Sequence, residues 1–216
     1  MKTLLITGGS RGIGLEIVNV LEQKYHIINI SRSLGGLKGK DIEHYSLDLS
    51  KSENYPELEN IIKNKKIDVL INNAGGGAHS KIQNVSLNKM EEAINLNLNS
   101  AIMLCKIVSK NMIKNKSGQI INIASVHALN ANANSSLYSA AKFGLRGFSE
   151  ALYYELKKHN IKVTTIYPDL VDTELLPKSF KGRDKILKPE NISNLIEYVL
   201  NLPQKMILKD VTISYM

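Results

Sequence analysis

Tyr138-Ser139-Ala140-Ala141-Lys142 opens a long helix-period stretch, and its i, i+4 spacing puts a phenol and an ammonium on one helix face. A phenol whose pKa is near ~10 carries protons poorly at neutral pH. A nearby ammonium favours the phenolate, and lowering that pKa by ~3 units corresponds to ~4 kcal/mol. Taken alone, Tyr-x-x-x-Lys recurs often by chance. Ser125 lies upstream, at the end of the apolar run Gln119–Ala124, and changes the meaning of the pair. A serine hydroxyl there can donate to a carbonyl oxygen while Tyr138 supplies or removes a proton.

A second constellation sits at the N-terminus, where Thr7-Gly8-Gly9-Ser10-Arg11-Gly12-Ile13-Gly14 joins an apolar run to a helical one. Gly8, Gly12 and Gly14 permit a tight turn, close approach of the backbone to a pyrophosphate, and close packing of helix on strand. The amides from Ser10 to Gly14 would then face an anion at a helix N-terminus. The spacing is Gly-x-x-x-Gly-x-Gly, not the Gly-x-Gly-x-x-Gly of the general dinucleotide fingerprint. The second strand usually ends in an acid that binds the adenosine ribose. Here Asn29-Ile30-Ser31-Arg32-Ser33 contains none. Arg32 offers bidentate donors to a phosphate, Arg11 can reach the same group, and the hydroxyls of Ser31 and Ser33 suit it. This pattern favours NADP(H) over NAD(H).

The elements that must position these groups alternate in type. Strand-like runs fall at Thr3–Thr7, His26–Ile30, Ile42–Leu47, Ile67–Ile71, Gln119–Ala124, Val163–Ile166 and Val211–Ser214. Helix-period stretches fall near Gly12–Gln23, Tyr55–Asn64, Leu87–Asn115, Ser136–His159 and Pro189–Leu200. Strands apolar on both faces, alternating with helices, predict an α/β protein with a doubly wound, Rossmann-like parallel sheet. No linker or repeat divides the chain, so residues 1–216 are expected to form one domain.

Composition narrows the class further. The 216 residues are 43% hydrophobic and 22% charged, which excludes disordered, collagenous and coiled-coil chains. No run approaches the ~18 apolar residues of a membrane span. The first residues lack the apolar stretch of a signal peptide, and the single cysteine, Cys105, fits a reducing compartment, so a cytoplasmic location is expected. The net charge of +8 raises nucleic-acid binding as an option. The lysines are scattered and not interleaved with aromatics, which points to solvated helix faces and to no nucleic-acid or membrane partner. His, Cys and carboxylates show no metal-ligand spacing, so no metal is expected.

At this point the sequence resembles the short-chain dehydrogenase/reductase family over most of its length. Thr7-Gly8-x-x-x-Gly12-x-Gly14 is similar to the family's cofactor motif, Asp48-Leu49 to its adenine-contacting pair, and Asn72-Asn73-Ala74-Gly75 to its Asn-Asn-Ala-Gly segment. Asn97 falls where the family has a catalytic asparagine, and Ser125, Tyr138 and Lys142 complete a tetrad. The resemblance implies hydride transfer between a nicotinamide and a carbonyl or alcohol carbon of a small or medium substrate, with Tyr138 as general acid or base. It further implies that Lys142 holds the nicotinamide ribose and depresses the tyrosine pKa, that Ser125 orients the substrate oxygen, and that Asn97 holds a water. Pro168, Val171 and Thr173 match positions that contact the nicotinamide amide and phosphates. Pairing of the two long helical segments into a homodimer, or a homotetramer, is also implied. The alternative is a protein that binds NADP(H) as a sensor or scaffold without catalysis.

The chain departs from the family pattern in three places, one being the C-terminal tail Ile207–Met216, which lacks the family's common glycine-rich finish. Asp169 replaces the glycine of Pro-Gly and is expected to point to solvent. The substrate-loop region, residues 174–188, is short and basic, with Lys178, Lys181, Arg183, Lys185 and Lys188, and is read as a solvated loop with attraction of an anion as the sharper option. His79 and His127 should border the pocket, His127 either as a substrate contact or as wall, whereas His26, His44 and His159 read as edge or surface residues.

Overall fold

Residues 1–77, 79–177 and 179–216 are described by a computed structural model. Runs that are apolar on both faces form strands buried on both sides. In β1 (Lys2–Thr7), successive residues Leu4, Leu5 and Ile6 are all fully buried. Leu4 and Ile6 face one core cluster while Leu5 faces the other, as the two-residue period of a strand requires.

Six further strands follow: β2 (Tyr25–Ser31), β3 (Glu43–Ser46), β4 (Val69–Asn72), β5 (Gly118–Ile123), β6 (Ile161–Pro168) and β7 (Asp210–Ile213). They form one sheet in the order β3-β2-β1-β4-β5-β6-β7, with every pair parallel. Helices α1 (Gly12–Leu21) and α6 (Pro189–Asn201) cover one face, where Ile17, Val18 and Leu21 join Ile192, Ile196 and Val199. Helices α2 (Tyr55–Ile62), α4 (Ser100–Asn115) and α5 (Ser136–Leu156) cover the other, packing Leu58, Leu104, Val108 and Leu152. The doubly wound Rossmann-like fold is therefore present. Strand order reverses between β1 and β4, and a crevice opens there beyond the carboxyl ends of the strands.

Two elements differ from the periodicity reading. The stretch Leu87–Asn115 is not one uniform helix: α3 (Leu87–Ile94) passes through a wider π-helical turn, Asn95–Asn99, before α4. The Asn97 side chain donates to the carbonyls of Ala93 and Gly76, fastening the widened turn to the loop after β4. Strand β6 is also longer than Val163–Ile166, because Lys162 is buried within it. Its ammonium donates to the carbonyls of Leu202 and Pro203 at 3.0 and 2.8 Å, so a charged residue occupies a strand position that pattern reading treats as a boundary.

Cys105 is fully buried, and burial pushes its thiol up to about 12, so it acts as packing. Among the described residues no helix is long and apolar enough to cross a membrane, and no group of His, Cys, Asp and Glu could hold a metal.

Ile196, fully buried between α6 and α1, reports on this packing. Ile196→Ala is expected to lower unfolding free energy by about 2–5 kcal/mol in urea titrations. A loss below about 1 kcal/mol would show that the α1–α6 face is not close-packed.

Candidate active site

A cleft of about 700 Å³ lies over the carboxyl ends of β1, β2, β4, β5 and β6. Its floor is the glycine turn. Gly8 and Gly12 have φ of +69° and +53°, a region that side-chain-bearing residues rarely adopt. At Gly14 the constraint is contact: a Cβ would stand 2.2 Å from the Gly8 carbonyl oxygen and 2.5 Å from Asn73 Nδ2. The first turn of α1 has no acidic residue and no side chain capping it, so its amides and the positive end of its dipole face the cleft.

Asparagines brace this turn. Asn73 Nδ2 donates to the carbonyls of Thr7 and Gly8 at 3.0 and 3.2 Å, while Thr7 Oγ1 accepts from the amides of Asn73 and Ala74. From β2, buried Asn29 accepts from the Gly9 amide at 2.8 Å and donates to Ser31 Oγ. Thr7 belongs to the glycine motif read from the sequence, whereas the bracing role of Asn29 is not legible there; its signal is a polar residue inside an otherwise apolar strand. His44, read as an edge residue, is held against Asn29 at 3.0 Å, and burial lowers its pKa.

Gly8, Ser10, Arg11, Gly12, Ile13, Gly14, Arg32, Asp48, Leu49, Asn73, Ala74 and Gly75 all line the cleft. So do Ser125, Tyr138, Lys142, Pro168, Val171 and Thr173. Arg11 and Arg32 are exposed and in no ion pair among the described residues. Burial would raise the Asp48 pKa, but hydrogen bonds from the Ser50 amide and hydroxyl, with Arg32 and Lys51 nearby, bring it below its usual value. The expectation that Ser31 offers its hydroxyl to a phosphate is corrected. Ser31 is buried, and its hydroxyl donates to the Ser33 carbonyl at 2.8 Å.

Asn97 is the one predicted residue that does not line the cleft. It is buried behind Gly75 and Gly76, accepting from the Gly76 amide and donating to the Gly76 carbonyl, each at 3.1 Å. Its side chain braces the wall of the cleft. A Cβ on Gly75 would meet Asn97 Oδ1 at 3.0 Å and Lys142 Nζ at 3.5 Å, so glycine lets the two side chains approach the same point.

Tyr138 and Lys142 lie one turn apart on α5, and Ser125 is the second residue past the end of β5. Burial raises the Tyr138 pKa, and a hydrogen bond from Ser125 opposes the rise. This corrects the sequence expectation that Lys142 holds the phenol's pKa down. The Lys142 ammonium is 5.7 Å from the centre of the Tyr138 ring and donates to the Ile123 carbonyl at 2.9 Å. It is itself destabilised, because burial pushes the lysine pKa down to about 8.

The outer wall was less legible. Leu170, Glu174, Leu175, Leu176 and Pro177 reach the cleft with His79 and His127. Exposed leucines in a loop were the available signal. Asp169 is exposed at the rim, where its carboxylate accepts from the Leu170 amide. The basic loop is partly neutralised, because Asp172 pairs with both Arg183 and Lys188. Lys178 lies outside the described residues.

A family model described as short chain dehydrogenase matches residues 2–184. The chain is 33% identical over 187 residues to the 3-oxoacyl-[acyl-carrier-protein] reductase FabG of Chlamydia trachomatis, covering 81% of this chain and 75% of that protein. Among solved structures it resembles a 4-hydroxyisoleucine dehydrogenase complexed with NADH, with TM-score 0.90, 27% identity, and coverage of 99% of this chain and 97% of that one. It also resembles a serine dehydrogenase complexed with NADP+, with TM-score 0.87, 26% identity, and coverage of 98% and 94%.

Lys142 ties stability to pH. Its folded pKa of about 8 lies below its ordinary 10.5, so its burial costs stability below pH 8, and the cost fades as pH rises toward 10.5. Lys142→Met should therefore gain about 3 kcal/mol at pH 7 from removing the charge, less about 1 kcal/mol for the unpaired Ile123 carbonyl. Urea unfolding at pH 7 and pH 10 should show the variant's advantage at pH 7 and its loss at pH 10. An advantage independent of pH would refute the assignment.

Proposed function

The chain belongs to the short-chain dehydrogenase/reductase family, and from that premise we propose that it is an NADP(H)-dependent oxidoreductase interconverting a carbonyl and an alcohol. The observation that carries this reading is the meeting of Ser125, Tyr138 and Lys142 on the wall of a cleft floored by the α1 glycine turn. The residues present fit a dinucleotide. The first turn of α1 is uncapped and free of acids, and no side chain fits at Gly14 between α1 and the end of β1.

Tyr138 is the proton donor to the substrate oxygen in reduction and the acceptor in oxidation. Its raised pKa keeps it protonated at neutral pH, which suits it to donating. Ser125 donates a hydrogen bond to the same oxygen and polarises the carbonyl. Lys142 is placed to hold ribose hydroxyls, with its ammonium anchored on Ile123. Asn97 keeps Gly75 and Gly76 in place beside it. Bound in the cleft, a nicotinamide supplies the hydride in reduction and accepts it in oxidation.

The preference for NADP(H) rests on Arg32 and Arg11, two guanidinium groups without an ion-pair partner among the described residues, at the rim where an acid would otherwise face the ribose. Residues 174–177, His79 and His127 form the substrate side, suited to a small or medium carbonyl compound. A homodimer or homotetramer through α4, on which Ile113 is exposed, and α5, on which Phe143 and Tyr154 are exposed, and a cytoplasmic location complete the proposal.

The test is NADPH and NADH oxidation across a panel of ketones and aldehydes. Turnover should favour NADPH, and Arg32→Ala should raise the NADPH KM roughly 10- to 100-fold, as the loss of a charged hydrogen bond implies, while sparing NADH. Tyr138→Phe should cut kcat by about 10²–10⁴-fold and leave the NADPH Kd nearly unchanged. Binding without turnover on a broad panel would instead favour a sensor or scaffold.

A further inference from the structure

One residue supplies two contacts to the Ser125 hydroxyl. The His127 amide donates to Ser125 Oγ at 3.2 Å, and His127 Nδ1 lies 3.4 Å from the same oxygen. The short turn Val126–Ala128 after β5 produces both contacts, because it folds His127 back over the serine. On the far side of the ring, Asn132 Nδ2 lies 3.3 Å from His127 Nε2.

Proton accounting orders these contacts. An amide nitrogen can only donate, so His127 Nε2 must accept from Asn132, and in a neutral imidazole the ring proton then sits on Nδ1. Nδ1–H therefore donates to Ser125 Oγ. A serine oxygen has two acceptor positions and one proton. With both acceptor positions filled by His127, the hydroxyl proton has only the cleft to point into, where Tyr138 stands. With the opposite tautomer Ser125 would donate into the ring and would have no proton for a substrate oxygen.

We propose that His127 is a positioning residue that makes the Ser125 hydroxyl a one-way donor into the cleft, with Asn132 selecting the imidazole tautomer. The proposal rests on the reading of Ser125 as the group that orients the substrate oxygen. The surroundings keep the ring neutral. Burial and the neighbouring His79, whose ring centre is 6.0 Å away, lower the His127 pKa, and Asp169 at the rim opposes them. On its other side His127 packs edge-on against Tyr138, with ring centres 5.4 Å apart. His79 is not a rival for the task, because its Nδ1 is held by Ser135 Oγ at 2.8 Å.

Two measurements on the full chain test this. Long-range 15N–1H correlation of the imidazoles, assigned with a His127→Asn control, should show His127 protonated on Nδ1; protonation on Nε2 overturns the proposal. The second measurement is a variant series, since asparagine keeps an amide donor near the Nδ1 position, glutamine moves it toward Nε2, and phenylalanine removes it. His127→Gln and His127→Phe should lower kcat about tenfold or more, short of the roughly 10²–10³ that losing an oxyanion donor outright costs, with the NADPH Kd unchanged. The limb of the alcohol-oxidation pH profile set by Tyr138 should move to higher pH in both, because a Ser125 proton that wanders no longer stabilises the phenolate. His127→Asn should recover most of the turnover and return the limb toward its wild-type position. Equal kcat in all three variants, or an unmoved limb, overturns the proposal. Absence of turnover in the wild type would sink the function proposed above instead, and the imidazole correlation would then decide the tautomer by itself.

Discussion

A sheet whose strands are all parallel, covered by helices on both faces, leaves only its two ends open to solvent. Every polar group that must meet a ligand is driven to one of those ends, and at the carboxyl end the α1 N-terminus and the strand termini converge. Thr7, Asn72, Ser125 and Pro168 all stand at or just past that end of their strands. Burial of the apolar faces thus does more than stabilise the fold. It fixes the plane on which the site is built.

Within that plane the parts are joined by buried side-chain hydrogen bonds. Asn73 ties β4 to the glycine turn, Asn29 ties β2 to it, and Asn97 ties the π-helical turn to Gly76. A deeper chain runs from Asn72 to Asn122 at 2.7 Å and on to Ser149 at 2.8 Å, linking β4 and β5 to α5. Since α5 carries Tyr138 and Lys142, this chain sets how the helix sits over the sheet and so where the phenol meets Ser125. Paired polar groups in an apolar interior favour one arrangement, because sliding any element would strand further donors or acceptors away from water; the Asn72 side-chain oxygen already has no partner among the described residues.

Lys142 shows the opposing demand. Among the described residues only the Ile123 carbonyl receives its buried ammonium, and the folded protein is destabilised for it at neutral pH. Tyr138 is likewise held away from water, with its pKa raised. Both are groups that packing alone would have replaced with apolar residues. Two such groups side by side on the cleft wall are the pattern in which a folded chain gives up stability at a functional site.

The amino-acid sequence by itself determined the fold class, the glycine turn, and the identities of Ser125, Tyr138 and Lys142, because each depends on local period or short spacing. Alternating strands and helices, a glycine pattern at a strand–helix junction, and an i, i+4 pair are all properties of neighbouring residues. Tertiary structure alone decided the rest. That Ser31 is locked to Ser33, that Asn97 braces the cleft wall and does not line it, and that Asp172 pairs with both Arg183 and Lys188 depend on where side chains turn once the chain is packed. The direction of the Tyr138 shift was decided there too. Sequence spacing places the ammonium near the phenol, but only the packed interior sets how little water either one keeps, and for Tyr138 desolvation outweighs the opposing hydrogen bond from Ser125.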